Sequence, residues 1–222
     1  MTDSIKVDVW SDVVCPWCYI GKRKFEEGAR RAGVPVEIEY HSFELSPGTP
    51  LDSGVSEVDL LVEHKGLPEA QVRQMLDQVT AVAAGVGLDF HFESTQATGT
   101  LPAHELLHFA KAHGRQLELK ERLLRAHFVE GGHVGRLDDL VGYAAEVGLD
   151  ADAARAALVQ HTYLDDVQTD IAQAAAYGIQ GVPFFVIDGR YGISGAQDPD
   201  TFAEALRQVA AEQPAADTAV VR

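Results

Sequence analysis

Two cysteines separated by two residues are the part of this 222-residue sequence best suited to covalent chemistry. Cys15 and Cys18 enclose Pro16 and Trp17, and the chain has no other cysteine. A strand is predicted to end just before the motif and a helix to begin at it, so Cys15 would lie at a helix amino terminus. Free backbone N–H groups there stabilise a thiolate, which predicts a lowered pKa and a nucleophilic role for Cys15. Cys18 can close a disulfide with Cys15 and resolve a mixed disulfide.

The same pair is also compatible with structural zinc binding or with two incidental buried thiols. A structural zinc site usually takes four cysteine or histidine ligands, most often from two such pairs. No second cysteine pair exists in the sequence. The motif therefore favours a redox or thiol-transfer pair.

A second pattern that could bind a metal runs from His104 to His108 and reads His-Glu-Leu-Leu-His. On a helix this pattern places two histidines one turn apart, as in zinc peptidases. The extension that would add a third histidine is missing, since Lys111 and Gly114 stand at its key positions. We therefore expect no metal site here, but a helix with a leucine core face and partly exposed histidines. His127 and His133 are further candidates that could approach a thiolate, with capping or surface positions as the alternative.

The elements that must position the cysteines alternate between strand and helix in the first part of the chain. Residues 5–10 alternate apolar and charged types and predict a strand, residues 17–32 have helical periodicity, and residues 36–43 alternate again. Gly33 is a natural helix stop. A right-handed βαβ unit with parallel strands follows from this order.

The middle of the chain is predicted to be mostly helical, and strands return after it. Helices are expected over 56–64, 69–86, 101–113, 117–130, 137–147, 151–160 and 163–177. Residues 184–187 and 191–193 predict a β-hairpin with a turn at Asp188-Gly189, and residues 199–211 predict a last helix.

Val182-Pro183 stands directly before the predicted hairpin. A proline is tolerated at the first residue of a strand because no ladder donor is lost. The functional alternative is a cis peptide bond that places the Val182 backbone beside the cysteines, where it can pair with an extended peptide.

Composition limits the classes of partner. The chain has 18 basic and 34 acidic side chains, a net charge of −16, and 46% hydrophobic residues. Such a field repels phosphate backbones and anionic lipid, so we expect no nucleic-acid or membrane partner. The sequence shows neither an apolar stretch of about 18 residues nor a signal-peptide pattern, and two cysteines suit a reducing cytosol.

Five stretches, in this order along the chain, carry a resemblance to a known family. They are residues 12–21 around the cysteines, 42–45, 103–108, 181–186 and 193–197. The sequence resembles the DsbA-like branch of the thioredoxin superfamily. Within it, the chain is most similar to FrnE-like dithiol-disulfide oxidoreductases, relatives of 2-hydroxychromene-2-carboxylate isomerases and kappa-class glutathione transferases.

The resemblance implies an α/β thioredoxin-like fold with a large inserted all-helical domain that roofs the active site. It implies disulfide exchange by Cys15 and Cys18, with Val182 and a cis Pro183 lining the substrate groove. The chain departs from the family at two places: Gly99-Thr100 replaces an Asn-Thr pair, and residues 103–105 read Ala-His-Glu instead of Ala-His-Arg.

Together these observations predict a discontinuous thioredoxin-like domain over 1–45 and 178–212, a helical insertion over 46–177 and a flexible tail over 213–222. The expected function is cytosolic thiol-disulfide exchange or isomerisation by Cys15 and Cys18, with a protein or small molecule as substrate and Pro16, Trp17, Val182 and Pro183 as the substrate-binding residues. No cofactor is expected, although glutathione or another small thiol as co-substrate and a homodimer stay open. The alternatives are a thiol-dependent transferase or isomerase and a chaperone-like or metal-holding module.

Overall fold

The computed structural model of the protein describes residues 4–52 and 54–212. Four strands in this part of the chain form one mixed sheet in the order β2-β1-β3-β4. They are β1 (Ile5–Ser11), β2 (Val36–Ser42), β3 (Phe184–Ile187) and β4 (Tyr191–Ser194). β1 and β2 are parallel, as expected for a βαβ unit, whereas β3 pairs antiparallel with both β1 and β4.

The alternation of side chains along β1 divides its contacts between two layers. Ile5, Val7 and Val9 are buried on one face against α1 (Pro16–Ala32) and α9 (Pro199–Glu212). Trp10 points to the other face, where Ala174 and Ile179 belong to the same apolar cluster. The sheet is thus covered on both sides, and the carboxyl end of β1 lies between the layers.

Helices occupy most of the chain between β2 and β3. They are α2 (Glu57–Lys65), α3 (Glu69–Ala84), α4 (Leu101–Ala112), α5 (Gln116–Phe128), α6 (Leu137–Glu146), α7 (Ala151–Val159) and α8 (Leu164–Ala176). Each lies within about two residues of its predicted bounds. Their apolar faces form two clusters, one centred on α4 and α6 and one in which α2 and α3 pack on Tyr19 and Ile20 of α1.

The turns that were expected from glycine and proline are present. Gly33 ends α1 with φ of 70° and donates its N–H to the carbonyl of Ala29. Asp188 and Gly189 both have positive φ in the β3–β4 turn, as predicted. The predicted tail over 213–222 lies outside the described residues, and no described helix is long and apolar enough to cross a membrane.

Candidate active site

The cysteine motif lies at the junction of β1 and α1. Cys15 is the N-cap residue of α1 with extended backbone, and Pro16 takes the first helical position. Both cysteines are reduced and buried. Cys15 lines a cavity, whereas Cys18 is not among the residues that line it. A molecule in the cavity would therefore meet the sulfur of Cys15 first.

The segment before β3 contacts this sulfur from the other end of the chain. The Val182–Pro183 peptide bond is cis. The thiol of Cys15 donates a hydrogen bond to the carbonyl oxygen of Val182 at 3.5 Å. Gly21 of α1 faces Pro183 so closely that a Cβ there would lie 2.8 Å from the proline Cγ. The prediction that Val182 and Pro183 lie beside the cysteines thus agrees with the geometry.

The pKa shifts of the two thiols differ from the sequence-based expectation of a lowered pKa for Cys15. Its hydrogen bond with Cys18 and its burial raise the pKa of Cys15 above the ordinary value. Burial alone would also raise the pKa of Cys18, but the Cys15 thiol and the Lys120 ammonium stabilise the Cys18 thiolate and lower it. The expected lowering at Cys15 was wrong because its side chain makes no helix-capping hydrogen bond and instead faces Cys18 and Val182. Of the two thiols in the reduced pair, Cys18 is therefore the more acidic.

Asp12, three residues before Cys15, is a fully buried carboxylate beside the motif. Its Oδ1 accepts the N–H of Val13 at 2.7 Å and lies 3.2 Å from Nε2 of His104, while its Oδ2 accepts the N–H of Leu45 at 2.9 Å. Burial opposes ionisation, but these bonds hold the pKa of Asp12 below its ordinary value. This carboxylate fixes the loop that carries Cys15.

The cavity beside Cys15 has a volume of about 500 Å³. Its walls are largely apolar and come from the cysteine motif, α2, α3 and the Val182 segment, with Trp17, Leu45 and Met75 partly exposed at it. Glu57 is an acidic side chain in this wall. Burial and the negative charge of Asp12 raise the pKa of Glu57 to about 7. A cavity of this size and polarity suits an apolar side chain or a small organic molecule.

The match to a known family covers both the cysteine motif and the scaffold that holds it. Residues 6–207 match the family described as the DSBA-like thioredoxin domain. The chain belongs to this family. The resemblance to the DsbA-like branch of the thioredoxin superfamily and the predicted fold class are thereby confirmed.

Individual relatives of this DsbA-like chain agree with the family. Uncharacterized protein YwbO of Bacillus subtilis (strain 168) is 35% identical over 206 residues, which cover 91% of this chain and 96% of that protein. The crystal structure of probable DsbA oxidoreductase SCO1869 from Streptomyces coelicolor has 37% identity and a TM-score of 0.88, covering 95% of this chain and 92% of its own. Cytosolic disulfide reductase DsbM from Pseudomonas aeruginosa, with GSH, has 18% identity and a TM-score of 0.62 over 92% and 98% of the two chains, a likeness of fold.

The histidine-rich segment of the DsbA-like chain forms α4, but its three polar side chains face different partners. His104 contacts Asp12, the carboxylate of Glu105 lies 2.9 Å from Nδ1 of His161, and Nε2 of His108 lies 2.9 Å from Asp170. All three residues are buried, so the expectation of partly exposed histidines was wrong. The cause is that α4 packs against α5, α6, α7 and α8 and has almost no solvent face.

The other two candidate histidines differ in their surroundings. His133 accepts the N–H groups of Gly135 and Arg136 through Nδ1, so it shapes the loop before α6. His127 is buried, and neither ring nitrogen has a hydrogen-bond partner among the described residues. Burial lowers the pKa of His127 to about 4, so its ring is neutral near pH 7.

A network of charged side chains joins β1 and β2 of the sheet to α8. His41 lies between Asp170 and Asp8, with N···O distances of 2.7 and 2.9 Å, and stacks on Trp10. Among the described residues, Asp8, Glu39 and His41 place ligand-type atoms within 4.8 Å of one another. Lys6 already pairs with Asp8 and Glu39 at 3.0 and 3.1 Å, so the charges of this group are balanced.

Four residues of the site and its support were not identified from the sequence. Asp12 precedes the motif, and this position in the sequence was the only indication that it could belong to the site. Glu57 and Asp170 stand among many acidic residues in predicted helices. Lys120 has charged neighbours in sequence and resembles a surface residue, yet its side chain is fully buried.

Proposed function

We propose that this DsbA-like chain is a cytosolic, FrnE-like thiol-disulfide oxidoreductase or isomerase that uses the Cys15-Cys18 pair. The observation that carries the proposal is the arrangement of the two sulfurs. Cys15 faces a substrate-sized cavity and Cys18 lies behind it, within reach of the same sulfur. This is the geometry that a nucleophile and a resolving thiol require.

The reaction begins with a proton transfer inside the pair. The S–H of Cys15 turns from the Val182 carbonyl toward the Cys18 thiolate and passes its proton to that sulfur, which leaves a thiolate at the cavity. This thiolate attacks a sulfur of the substrate disulfide; the substrate S–S bond breaks, a mixed disulfide forms and one substrate thiolate leaves. Cys18 then gives its proton to the substrate thiolate that has left and attacks Cys15, which expels the second substrate thiolate and closes the Cys15–Cys18 disulfide. Two electrons pass to the substrate, and the reverse sequence oxidises a dithiol.

Four residues are assigned to substrate binding in this proposal. Pro16 and Trp17 line the cavity on the motif side, and Trp17 is 41% exposed. Val182 lines the opposite side and is joined to Pro183 by the cis bond. The Val182 carbonyl can accept an N–H of an extended peptide once the sulfur is engaged in a mixed disulfide. A protein or small molecule carrying a disulfide beside an apolar group fits these walls.

A cytosolic location is part of the same proposal. The two cysteines both belong to the motif, so the fold uses no structural disulfide. DsbM, which shares the fold, is described as a cytosolic disulfide reductase.

The second candidate is a transferase or isomerase that uses glutathione or another small thiol. The cavity of about 500 Å³ favours it, because that volume accommodates a small thiol together with an organic substrate. DsbM was solved with GSH. Such an enzyme would need Cys15 but not Cys18, since no disulfide is resolved during addition of a thiol.

Single-cysteine variants distinguish the two functions. We expect Cys15→Ser to abolish reduction of a fluorescent peptide disulfide, and Cys18→Ala to accumulate a mixed disulfide visible as a mass increase of one substrate half. Gly142→Ala, in open space on α6 and outside the cavity wall, is the control and should retain turnover. Undiminished disulfide exchange in Cys15→Ser would overturn the proposal, and full activity of Cys18→Ala that depends on an added thiol would establish the second function.

A further inference from the structure

Lys120 of α5 is buried in an unusual way. Its side chain is fully buried, and its ammonium nitrogen has no hydrogen-bond partner among the described residues. Burying an ammonium without a partner is costly unless a negative charge compensates it. Burial lowers the pKa of Lys120, so its charged form depends on the negative groups around it.

The docking of α5 on the sheet determines where this cation lies. Gln116 donates through its amide to the carbonyl of Tyr40 at 2.8 Å and accepts the Tyr40 N–H at 2.9 Å. One turn later, the Lys120 nitrogen stands 5.4 Å from the centre of the Tyr40 ring. Tyr40 pairs with Val9, two residues before the end of β1. The lysine is thus held against the end of the sheet from which the cysteine motif starts.

The groups whose negative charge favours the Lys120 ammonium are Asp12 and the cysteine pair. The titratable groups that surround it are Asp12, Cys15, Cys18, Lys22 and Tyr40. Asp12 already accepts two backbone N–H groups and contacts His104. Lys22 adds positive charge but pairs with Glu26 and Glu121. The Cys18 sulfur also has hydrogen-bond partners in Cys15, Ser11 and the backbone of Asp12, and the positive charge of Lys120 adds to their lowering of its pKa.

We propose that Lys120 is a positioning residue that acts through the cysteine pair: it supplies the buried counter-charge of the thiolate and so stabilises the reduced state over the disulfide. The inference rests on the proposed redox function. It adds that a residue of the helical domain shifts the equilibrium between the dithiol and disulfide states of the cysteine pair. In the oxidising direction, a substrate dithiol gives two electrons and becomes a disulfide. The Cys15–Cys18 bond breaks into one thiol and one thiolate, and the second substrate proton goes to water. The thiolate exists only after this step, so its counter-charge favours reduction of the protein.

The first test compares redox equilibria of matched variants with glutathione. Lys120→Met keeps the length and apolar stem of the side chain and removes its charge. Lys111→Met removes the same charge from an exposed lysine of α4 that pairs with Glu39. We expect Lys120→Met to decrease the equilibrium constant for reduction of the protein at least tenfold, about 30 mV for a two-electron couple. Lys111→Met should change it less than twofold.

A second measurement needs no substitution, which matters if Lys120→Met does not fold. The Lys120 Nζ titration is followed by NMR in the wild-type protein with labelled lysine side chains, in the dithiol and disulfide states. By thermodynamic linkage, if the Lys120 ammonium stabilises the thiolate, the thiolate stabilises the Lys120 ammonium by the same amount. We expect the Lys120 pKa to be higher in the dithiol state.

The outcomes separate this inference from the proposed function. A reversible wild-type transition with an unchanged constant in Lys120→Met, or an equal Lys120 pKa in the two states, would overturn the inference alone. If the wild-type pair shows no two-electron transition, the proposed function fails first. A decrease of equal size in Lys111→Met would show a nonspecific effect of charge and would also overturn the inference.

Discussion

The carbonyl oxygen of Val182 lies 3.5 Å from the sulfur of Cys15, although 167 positions separate the two residues in the sequence. The contact exists because α1 and the segment before β3 approach each other closely at Gly21 and Pro183. The cysteine motif and the segment proposed to bind substrate are therefore parts of one surface. Substitutions in this surface and in the side chains that support it should have separable effects on rate and stability.

Gly21→Ala should slow disulfide exchange. The added methyl group would lie 2.8 Å from Cγ of Pro183 and 3.5 Å from Cβ of Ala196, so the segment carrying Val182 must move away from Cys15. Displacements of about 1 Å at a reacting group cost up to about a hundredfold in rate. We expect a decrease in kcat/KM of about tenfold or more with the peptide disulfide. Gly142→Ala, in open space on α6, is the control and should keep the wild-type rate. Equal rates for both variants would show that the close approach at Gly21 does not position Val182.

Glu57→Gln should stabilise the protein at alkaline pH. Because burial raises the pKa of Glu57 to about 7, the folded state binds an extra proton between its ordinary value of 4.5 and about 7. Folding stability attributable to this group therefore falls as pH rises through that window. We expect Glu57→Gln to gain about 1–3 kcal/mol over wild type at pH 8 and little at pH 4.5, measured by urea unfolding. Glu63→Gln, exposed on the same helix, should show no such pH-dependent gain.

His41→Gln should destabilise the protein most at low pH. Burial would lower the pKa of His41, but its contacts with Asp170 and Asp8 outweigh this and raise it to about 9. The stabilisation is fully present below the ordinary value of 6.5 and is lost as pH rises through about 9. We expect a loss of about 2–3 kcal/mol at pH 6 that shrinks by pH 9.5, measured by thermal and urea unfolding.

The control for this prediction is His91→Gln. His91 also has two acidic neighbours, Asp89 and Glu93, but its side chain is 42% exposed. Solvent screening makes such pairs weak, so the substitution should cost under about 1 kcal/mol at either pH. A pH-independent loss in His41→Gln would show that only its packing on Trp10 matters.

Local signals in the sequence predicted the elements and the cysteine pair. Alternation identified β1 and β2, glycine and proline marked the turns, and the spacing of Cys15 and Cys18 indicated that the two thiols lie close together. These features depend on neighbouring residues, so periodicity and turn chemistry are sufficient to find them.

Features that depend on tertiary packing could not be predicted in the same way. Lys120 lies in a helix with several charged residues, and nothing local shows that α5 is enclosed on the side facing Tyr40. His104 and His108 were expected to be partly exposed because the number of helices around α4 cannot be read from its own sequence. The lowered pKa was assigned to Cys15 on the basis of the helix dipole, while the surroundings of the two sulfurs raise the pKa of Cys15 and lower that of Cys18.

The measurement that tests the central claim most directly is the redox equilibrium of the wild-type Cys15–Cys18 pair in a glutathione series. Samples are trapped by alkylation and weighed by mass spectrometry, and Trp17 fluorescence reports the same transition. We predict one reversible two-electron transition in which both thiols disappear together, with a midpoint to be compared with about −270 mV for thioredoxin and about −120 mV for DsbA. A pair that stays reduced throughout, or a stable glutathione adduct on Cys15 with Cys18 still free, would contradict the assignment of a redox pair.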